Sequence, residues 1–458
     1  MTPLSRAHHL FPLLCLALTA WAFHPGHVSF DSAYQFWQVR TGNYSNVSPV
    51  AMTYLWSLLN RVWPGSGGIF FLNILMFWSG VWLIACTLYS RPAHRVAATL
   101  LVAGVSPALM ILSHIWTDAT LIACLTLASG LILRAGHRRE RLPLYCAIPL
   151  LVYGGLVRHN ALPALIPLLA WWLVVLARTG SSQARLPAMK LLAAVLVACL
   201  AVFGLGHALD SRLVVHRVST IGIVQVWDLA GVSLSTGTML LPDFVRPADV
   251  TLDQLREKYS RYTSVPLYAP PHAIRDGLSI PFTPSESRRL REAWLDAVRQ
   301  HPVAYAGHRL AVTTALFNRY RNDRPSDLGY IPYMVQYKDN PVIAPNDSSL
   351  HRMALAWYEV TVGWWISAPA PYILLAIGCA LVAWRRRSDF RGELALATAV
   401  SGLLYVAPLP LVAPSAELRY SGWLFAAATI SLISLIALAA ARRRNNNGSA
   451  PASSAELH

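Results

Sequence analysis

Gly67-Gly68-Ile69-Phe70-Phe71-Leu72-Asn73-Ile74-Leu75-Met76-Phe77-Trp78-Ser79-Gly80-Val81-Trp82-Leu83-Ile84-Ala85-Cys86-Thr87-Leu88-Tyr89 runs without a single charged residue. As an α-helix it is long enough to cross a bilayer core of about 30 Å. Similar apolar runs recur from end to end of the 458 residues, of which 55% are hydrophobic and only 13% charged, and the mean hydropathy is +0.42. The chain therefore reads as an all-α polytopic membrane protein. About ten spans are predicted, near 10–23, 67–89, 96–113, 119–135, 142–157, 161–177, 190–208, 366–384, 394–412 and 421–441.

These runs divide the chain into four parts. Residues 1–208 form an N-terminal transmembrane module of about seven spans, with a first outer loop at 24–66. Residues 209–365 form a large, mainly helical extramembrane segment, and 366–444 a C-terminal module of about three spans. The tail 445–458, rich in Asn, Ser and Ala, has the composition of a disordered segment.

A formal net charge of +16 raises the question of nucleic acid, and the placement of the charges answers it. Alternate connections hold most of the short-loop basic residues, among them Arg6, Arg91, Arg95, Arg134, Arg138, Arg139, Arg141, Arg178, Arg385, Arg386, Arg387, Arg442, Arg443 and Arg444. The short connections on the other side hold Arg40, Arg61, Arg158 and Arg419. By the positive-inside rule both termini are expected in the cytoplasm. The excess charge is then topological, and no nucleic-acid partner is expected. All six cysteines fall in predicted spans, so they read as small buried apolar residues rather than as disulfides or a thiolate metal site.

The outer side is where polar residues gather. Asp31 lies in His27-Val28-Ser29-Phe30-Asp31-Ser32-Ala33-Tyr34-Gln35-Phe36-Trp37, an acid flanked by rings just past the first span, where its charge acts more strongly than in bulk water. The aromatic-rich stretch 28–64 suits one or two interfacial helices. Ser113-His114-Ile115-Trp116-Thr117-Asp118 is the next outer connection, and Asp118 there is either a helix cap or a functional carboxylate. Arg158-His159-Asn160 follows, its charges needing a spatial partner or snorkelling towards lipid phosphate.

Three further readings concern the rest of the outer side. In the large segment, Thr283-Pro284-Ser285-Glu286 predicts a helix from 284 to about 300, and Val303 to Arg321 a second one lying along the membrane. Asp228, alone in the apolar run Val224–Val232, either faces a cavity or is solvated, and solvation is the preferred reading. In Glu417-Leu418-Arg419-Tyr420 the acid and base stand two residues apart, so on a helix they point different ways and need separate partners.

The motifs Phe30-Asp31-Ser32-Ala33-Tyr34, His114-Ile115-Trp116-Thr117-Asp118, Arg158-His159-Asn160-Ala161, Trp294 with His301-Pro302-Val303-Ala304-Tyr305, and Glu417-Leu418-Arg419-Tyr420 together resemble the GT-C superfamily of polytopic membrane glycosyltransferases, most nearly its uncharacterised bacterial members. The resemblance lies in their order and in their common placement on one membrane side. It implies a bacterial inner-membrane enzyme with its active site on the periplasmic face, taking a sugar from a polyprenyl-phosphate-linked donor to a glycan, lipid or protein acceptor. In that reading Asp31 and Asp118 are the catalytic acids. Arg158, Arg419 and His159 bind the donor phosphate, and Tyr34, His114, Asn160, Glu417 and Tyr420 line the substrate cavity. Single acids stand where some relatives have an acidic pair, so no cofactor is assigned and a divalent metal stays open. The arginines and Asp31 are expected around one cavity with phosphate-sized room, Asp118 at its edge.

Two rival classes fit the same composition. An O-antigen polymerase or ligase would rely on the arginines and not on Asp31. A lipid-linked sugar flippase or transporter would place charges or broken helices near mid-membrane, whereas the charges here sit at the outer ends of spans.

Overall fold

A computed structural model describes residues 10–180, 187–217, 219–268, 283–318 and 329–448. Helices α1 (Phe11–Phe23), α2 (Phe30–Thr41), α3 (Val50–Val62), α4 (Gly67–Leu88), α5 (Pro92–Leu100), α6 (Ala108–Leu112), α7 (Thr117–Arg138), α8 (Leu142–Leu156), α9 (Leu162–Gly180) and α10 (Ala188–Leu213) make up the N-terminal part. The middle part holds α11 (Thr220–Thr236), α12 (Leu252–Lys258), α13 (Pro284–Gln300), α14 (Pro302–Phe317) and α15 (Ser349–Val362). The last part holds α16 (Pro369–Trp384), α17 (Phe390–Val406), α18 (Leu409–Val412) and α19 (Gly422–Gly448). Among the described residues the chain is all-helical, with only isolated β-bridges.

Among the described residues six segments are long and apolar enough to cross a membrane: α4, α7, α9, α10, the run 390–412 and the run 418–444. The shorter apolar helices α1, α8 and α16 coincide with three more of the expected spans. The run expected to span at 96–113 is instead broken. Pro107 lacks the N–H a helix needs, and Ser106 before it is pushed into an extended conformation at φ −85°, ψ 150°. A π-helical turn at 101–105 and the short α6 replace the straight helix. At the other end of the chain, α19 continues through 445–448, so the first residues of the expected disordered tail are helical; 449–458 lie outside the described residues.

Packing in the bundle follows side-chain size. α4 and α7 touch backbone to backbone because Gly80 has no side chain; a Cβ there would meet the Leu127 nitrogen at 2.6 Å. α17 and α19 pack along each other, with α16 against both and α9 against α17. Trp423, Tyr405 and Phe425 fill that core, and Trp423 donates to Ser401 Oγ at 2.8 Å, so the buried indole N–H is satisfied. α10 turns Leu192, Leu196, Leu200 and Phe203 outward, the surface expected of a helix whose flank faces lipid.

The large segment has its own core around Trp227, Leu241, Leu267, Leu290 and Val312. α13 starts as read, with the Thr283–Glu286 capping box and Pro284 in the first turn. α14 stops at Phe317, with Asn318 as its cap, earlier than the expected 321; positions 319–321 lie outside the described residues. Two helices do occupy 28–64. Ser29 caps α2 by accepting from Ser32 N, and Gly42 ends it at φ 72°, a left-handed turn that favours glycine.

The segment is fastened to the loop between α18 and α19. Ser264 N donates to Pro414 O at 3.1 Å and Ala416 N to Tyr262 O at 2.7 Å, forming an antiparallel bridge between Thr263 and Ser415. Arg309 from α14 donates to Ala413 O at 3.1 Å. The loop that leads into Glu417 and Arg419 is therefore held by the segment, not by the bundle alone.

Candidate functional site

Asp31 stands in the first turn of α2, where a carboxylate is favoured by the helix dipole. α2 is anchored there by Ser32, whose hydroxyl donates to Ile115 O at 2.6 Å. The Asp31 side chain is 44% exposed and its Oδ2 lies 2.6 Å from an Arg419 terminal nitrogen. Arg419 itself is almost wholly buried and gives its Nε–H to Glu417.

That last contact corrects the expectation that Glu417 and Arg419 point apart. Glu417 is not in a helix: it is the extended residue (φ −75°, ψ 139°) before the single 3-10 turn Leu418–Ser421. From there its carboxylate folds back over the turn. Ser415 Oγ donates to its other oxygen at 2.6 Å, with Tyr420 OH at 3.3 Å. A buried guanidinium is thus held by two carboxylates, one of them partly open to solvent.

A second pair lies beside the first. Arg158, in the tight turn between α8 and α9, reaches Asp118 Oδ1 at 3.1 Å, and Tyr405 OH donates to the same oxygen at 3.0 Å. Asp118 is only 1% exposed. It is therefore not at the edge of the site but under it, and neither reading of it as a helix cap nor as a substrate-facing acid describes its contacts. The spatial partner that Arg158 required is Asp118. The Arg158 and Arg419 guanidinium carbons lie 5.2 and 5.5 Å from the same Tyr420 ring, so the two pairs share one aromatic partner.

The other expected residues scatter. His114 is fully buried and stacked on Trp116 at 3.9 Å. Its Nδ1 faces Met110 O at 2.9 Å and its Nε2 accepts from Ile331 N at 2.9 Å. Both ring nitrogens are used, so His114 is a structural pin between the bundle and the returning chain, not a cavity wall. His159 is exposed and Asn160 is half-buried, its Nδ2 without a hydrogen bond among the described residues; the bonds that hold Arg419 come from Asp31 and Glu417 instead. Tyr34 lies one turn after Asp31 on the open side of α2. The phosphate-sized room between Asp31 and Arg419 is absent, because the two charges meet directly. Cavities of about 500 and 410 Å³ exist elsewhere, and neither is lined by Asp31, Arg158 or Arg419.

Sequence reasoning missed Trp116, whose ring lies 5.0 Å from the Arg419 guanidinium while its N–H goes to Ser29 at 2.9 Å. It also missed Tyr405, a lone phenol in an apolar helix that gives no local signal of its partner. Asp228, expected to be solvated, is buried: Arg309 reaches it at 2.6 Å, His308 at 3.0 Å and the Trp294 N–H at 2.8 Å. Its isolation in an apolar run reflected burial against a cation from another helix. No group of three or more His, Cys, Asp or Glu suited to a metal ion occurs among the described residues. No protein-family profile, curated protein or solved structure matches the chain.

Proposed function

We propose that the protein is a membrane glycosyltransferase that moves a sugar from a polyprenyl-phosphate-linked donor to an acceptor on the periplasmic side of the inner membrane. One observation carries the reading: Asp31 and Arg419, 388 positions apart in sequence, meet as a half-exposed carboxylate on a buried guanidinium. Glycosyl transfer needs that combination. The acceptor hydroxyl attacks the anomeric carbon, the bond from that carbon to the phosphate oxygen breaks, and its electron pair stays on the phosphate. The hydroxyl proton goes to a carboxylate, and the developing phosphate charge to fixed cations.

In this reading phosphate oxygens compete with Asp31 for Arg419, whose five N–H donors exceed the two given to Asp31 and Glu417. An Asp31 released from that contact turns its lone pairs to the acceptor hydroxyl. Asp118 becomes a positioning residue that holds Arg158, and Glu417 does the same for Arg419. The supporting sequence evidence is the shared side and order of the outer motifs.

The test is mass spectrometry of surface glycans and glycolipids from a deletion strain, complemented with wild type, Asp31→Asn, Arg419→Lys or Arg419→Ala. A sugar should vanish on deletion and return with wild type. Asp31→Asn should lose about 10²- to 10⁴-fold of the transfer rate while the protein still accumulates in the membrane. Arg419→Lys should lose less than Arg419→Ala, because a point charge still attracts phosphate without the planar fork. Full activity in Asp31→Asn would move the assignment to a polymerase or ligase, where the arginines act without this base.

A further inference from the structure

Next to Asp31, α2 presents Phe30, Tyr34 and Trp37, spaced four and three residues apart and so on one helix face. Tyr34 and Trp37 lie within 10° of parallel with centroids 6.1 Å apart. Tyr337, from the chain returning after α14, sets its ring edge-on to all three, at 5.5, 5.3 and 6.1 Å. Lys338 follows, with Nζ 4.0 Å from the Trp37 ring centre. We propose that this cluster is a saccharide platform that presents the acceptor to Asp31 and prefers an acidic sugar.

The cluster is built rather than incidental. Lys338 has φ +47°, the left-handed region where a side chain is strained and glycine is usual. The strain is maintained by bonds on both sides of it. Val335 N donates to Val28 O at 2.8 Å before it. After it, Arg40 donates to Asp339 O at 2.9 Å and Asn340 Nδ2 to Ala33 O at 2.8 Å. Asp339, the acid beside Lys338, is ion-paired with Arg40 at 3.3 Å. The backbone that carries Lys338 is thereby held in place, and its ammonium lies over the Trp37 ring while the residue stays exposed to solvent.

These parts match a pyranose carrying an anionic group. The flat C–H faces of the ring pack on aromatic faces, its hydroxyls point sideways towards Asp31, and a carboxylate or phosphate substituent meets Lys338. Phe30, 56% exposed, extends the apolar surface outward. A membrane-interface belt also uses aromatic and Lys side chains, but it does not require a Lys on a left-handed backbone held by hydrogen bonds on both sides.

That the bound sugar is the acceptor rests on the transferase reading; the binding itself does not. The experiment is saturation-transfer NMR and titration on the purified full chain in detergent, with trigalacturonate, maltotriose and chitotriose as probes. Trigalacturonate should bind saturably and best, Trp37→Ala should abolish its binding, and Lys338→Gln should weaken it about tenfold. An unchanged thermal midpoint shows the variants folded; should Trp37→Ala fail to fold, Lys338→Gln alone decides. No binding of any probe to wild type, or unchanged binding in Lys338→Gln, overturns the proposal. So does a fluorescence change, present in wild type and missing in Trp37→Phe, that responds to anionic vesicles and to no sugar, which assigns the cluster to the interface belt. Saccharide binding together with full activity in Asp31→Asn would leave the platform standing and remove the transferase reading.

Discussion

Asp31, Glu417 and Arg419 divide clearly by what one sequence can and cannot tell. An acid among aromatic rings past a span, and an acid and a base at the head of another, are visible locally as charges out of place. Their pairing is not, because it spans 388 positions and depends on a 3-10 turn that breaks the helical geometry assumed for 417–420. His27 is a residue that local pattern did not single out. It is buried with neither ring nitrogen hydrogen-bonded among the described residues, between His114 at 4.9 Å and His351 at 5.2 Å. Burial, and then the neighbouring His351, pull its pKa from 6.5 down to about 3. Below pH 6.5 the unfolded chain takes up a proton that the folded one refuses. Stability is therefore complete above about pH 6.5 and falls as the pH drops towards 3. The thermal midpoint of the detergent-solubilised protein should decline between pH 7 and pH 5, and His27→Phe should flatten the decline; an equally steep decline in the variant would assign it elsewhere.

At the scale of elements, α13 was readable because its start is written in four adjacent residues, whereas the contact of α11 with α14 is written nowhere locally. Asp228 on α11 meets His308 and Arg309 on α14, and α14 approaches closely because Gly231 leaves space for the His308 ring; a Cβ there would lie 2.2 Å from Nδ1. Arg309 then bonds Ala413 O, linking this buried charge cluster to the loop that carries Glu417. Removing one partner of such a cluster leaves an uncompensated charge in an apolar core and costs about 3–5 kcal/mol, while replacing both with apolar residues is often tolerated. Arg309→Met should thus lower the unfolding midpoint strongly, and Asp228→Leu with Arg309→Met should recover most of it, read by chemical or thermal unfolding. The single and the double variant melting alike would show that packing around Trp227, not charge compensation, holds this segment together.

At the scale of the molecule, four of the long helices have a site end and a basic end. The Thr117 end of α7, the Leu162 end of α9, the Val406 end of α17 and the Gly422 end of α19 lie towards Asp118, Arg158 and Arg419. Their other ends carry Arg138, Arg178, Arg391 and Arg442–Arg444. At that far end Arg178 of α9 is ion-paired to Glu393 of α17, and His137 of α7 packs on Phe390 at 4.8 Å. The helices were readable because hydropathy is summed over whole turns. The break at Ser106-Pro107 was not, since one proline inside an apolar run counts little in such a sum. A basic end and a site end, separated by the length of the bundle, predict opposite sides of the membrane by the positive-inside rule. Fusions after Arg139 should then be fluorescent with a green fluorescent protein reporter and silent with alkaline phosphatase, and fusions after Asp243 the reverse. Both fusions reporting one side would place the basic end and the Asp31 site on a common face. The access of a periplasmic donor to Arg419, and with it the transferase reading, would then lose its physical basis.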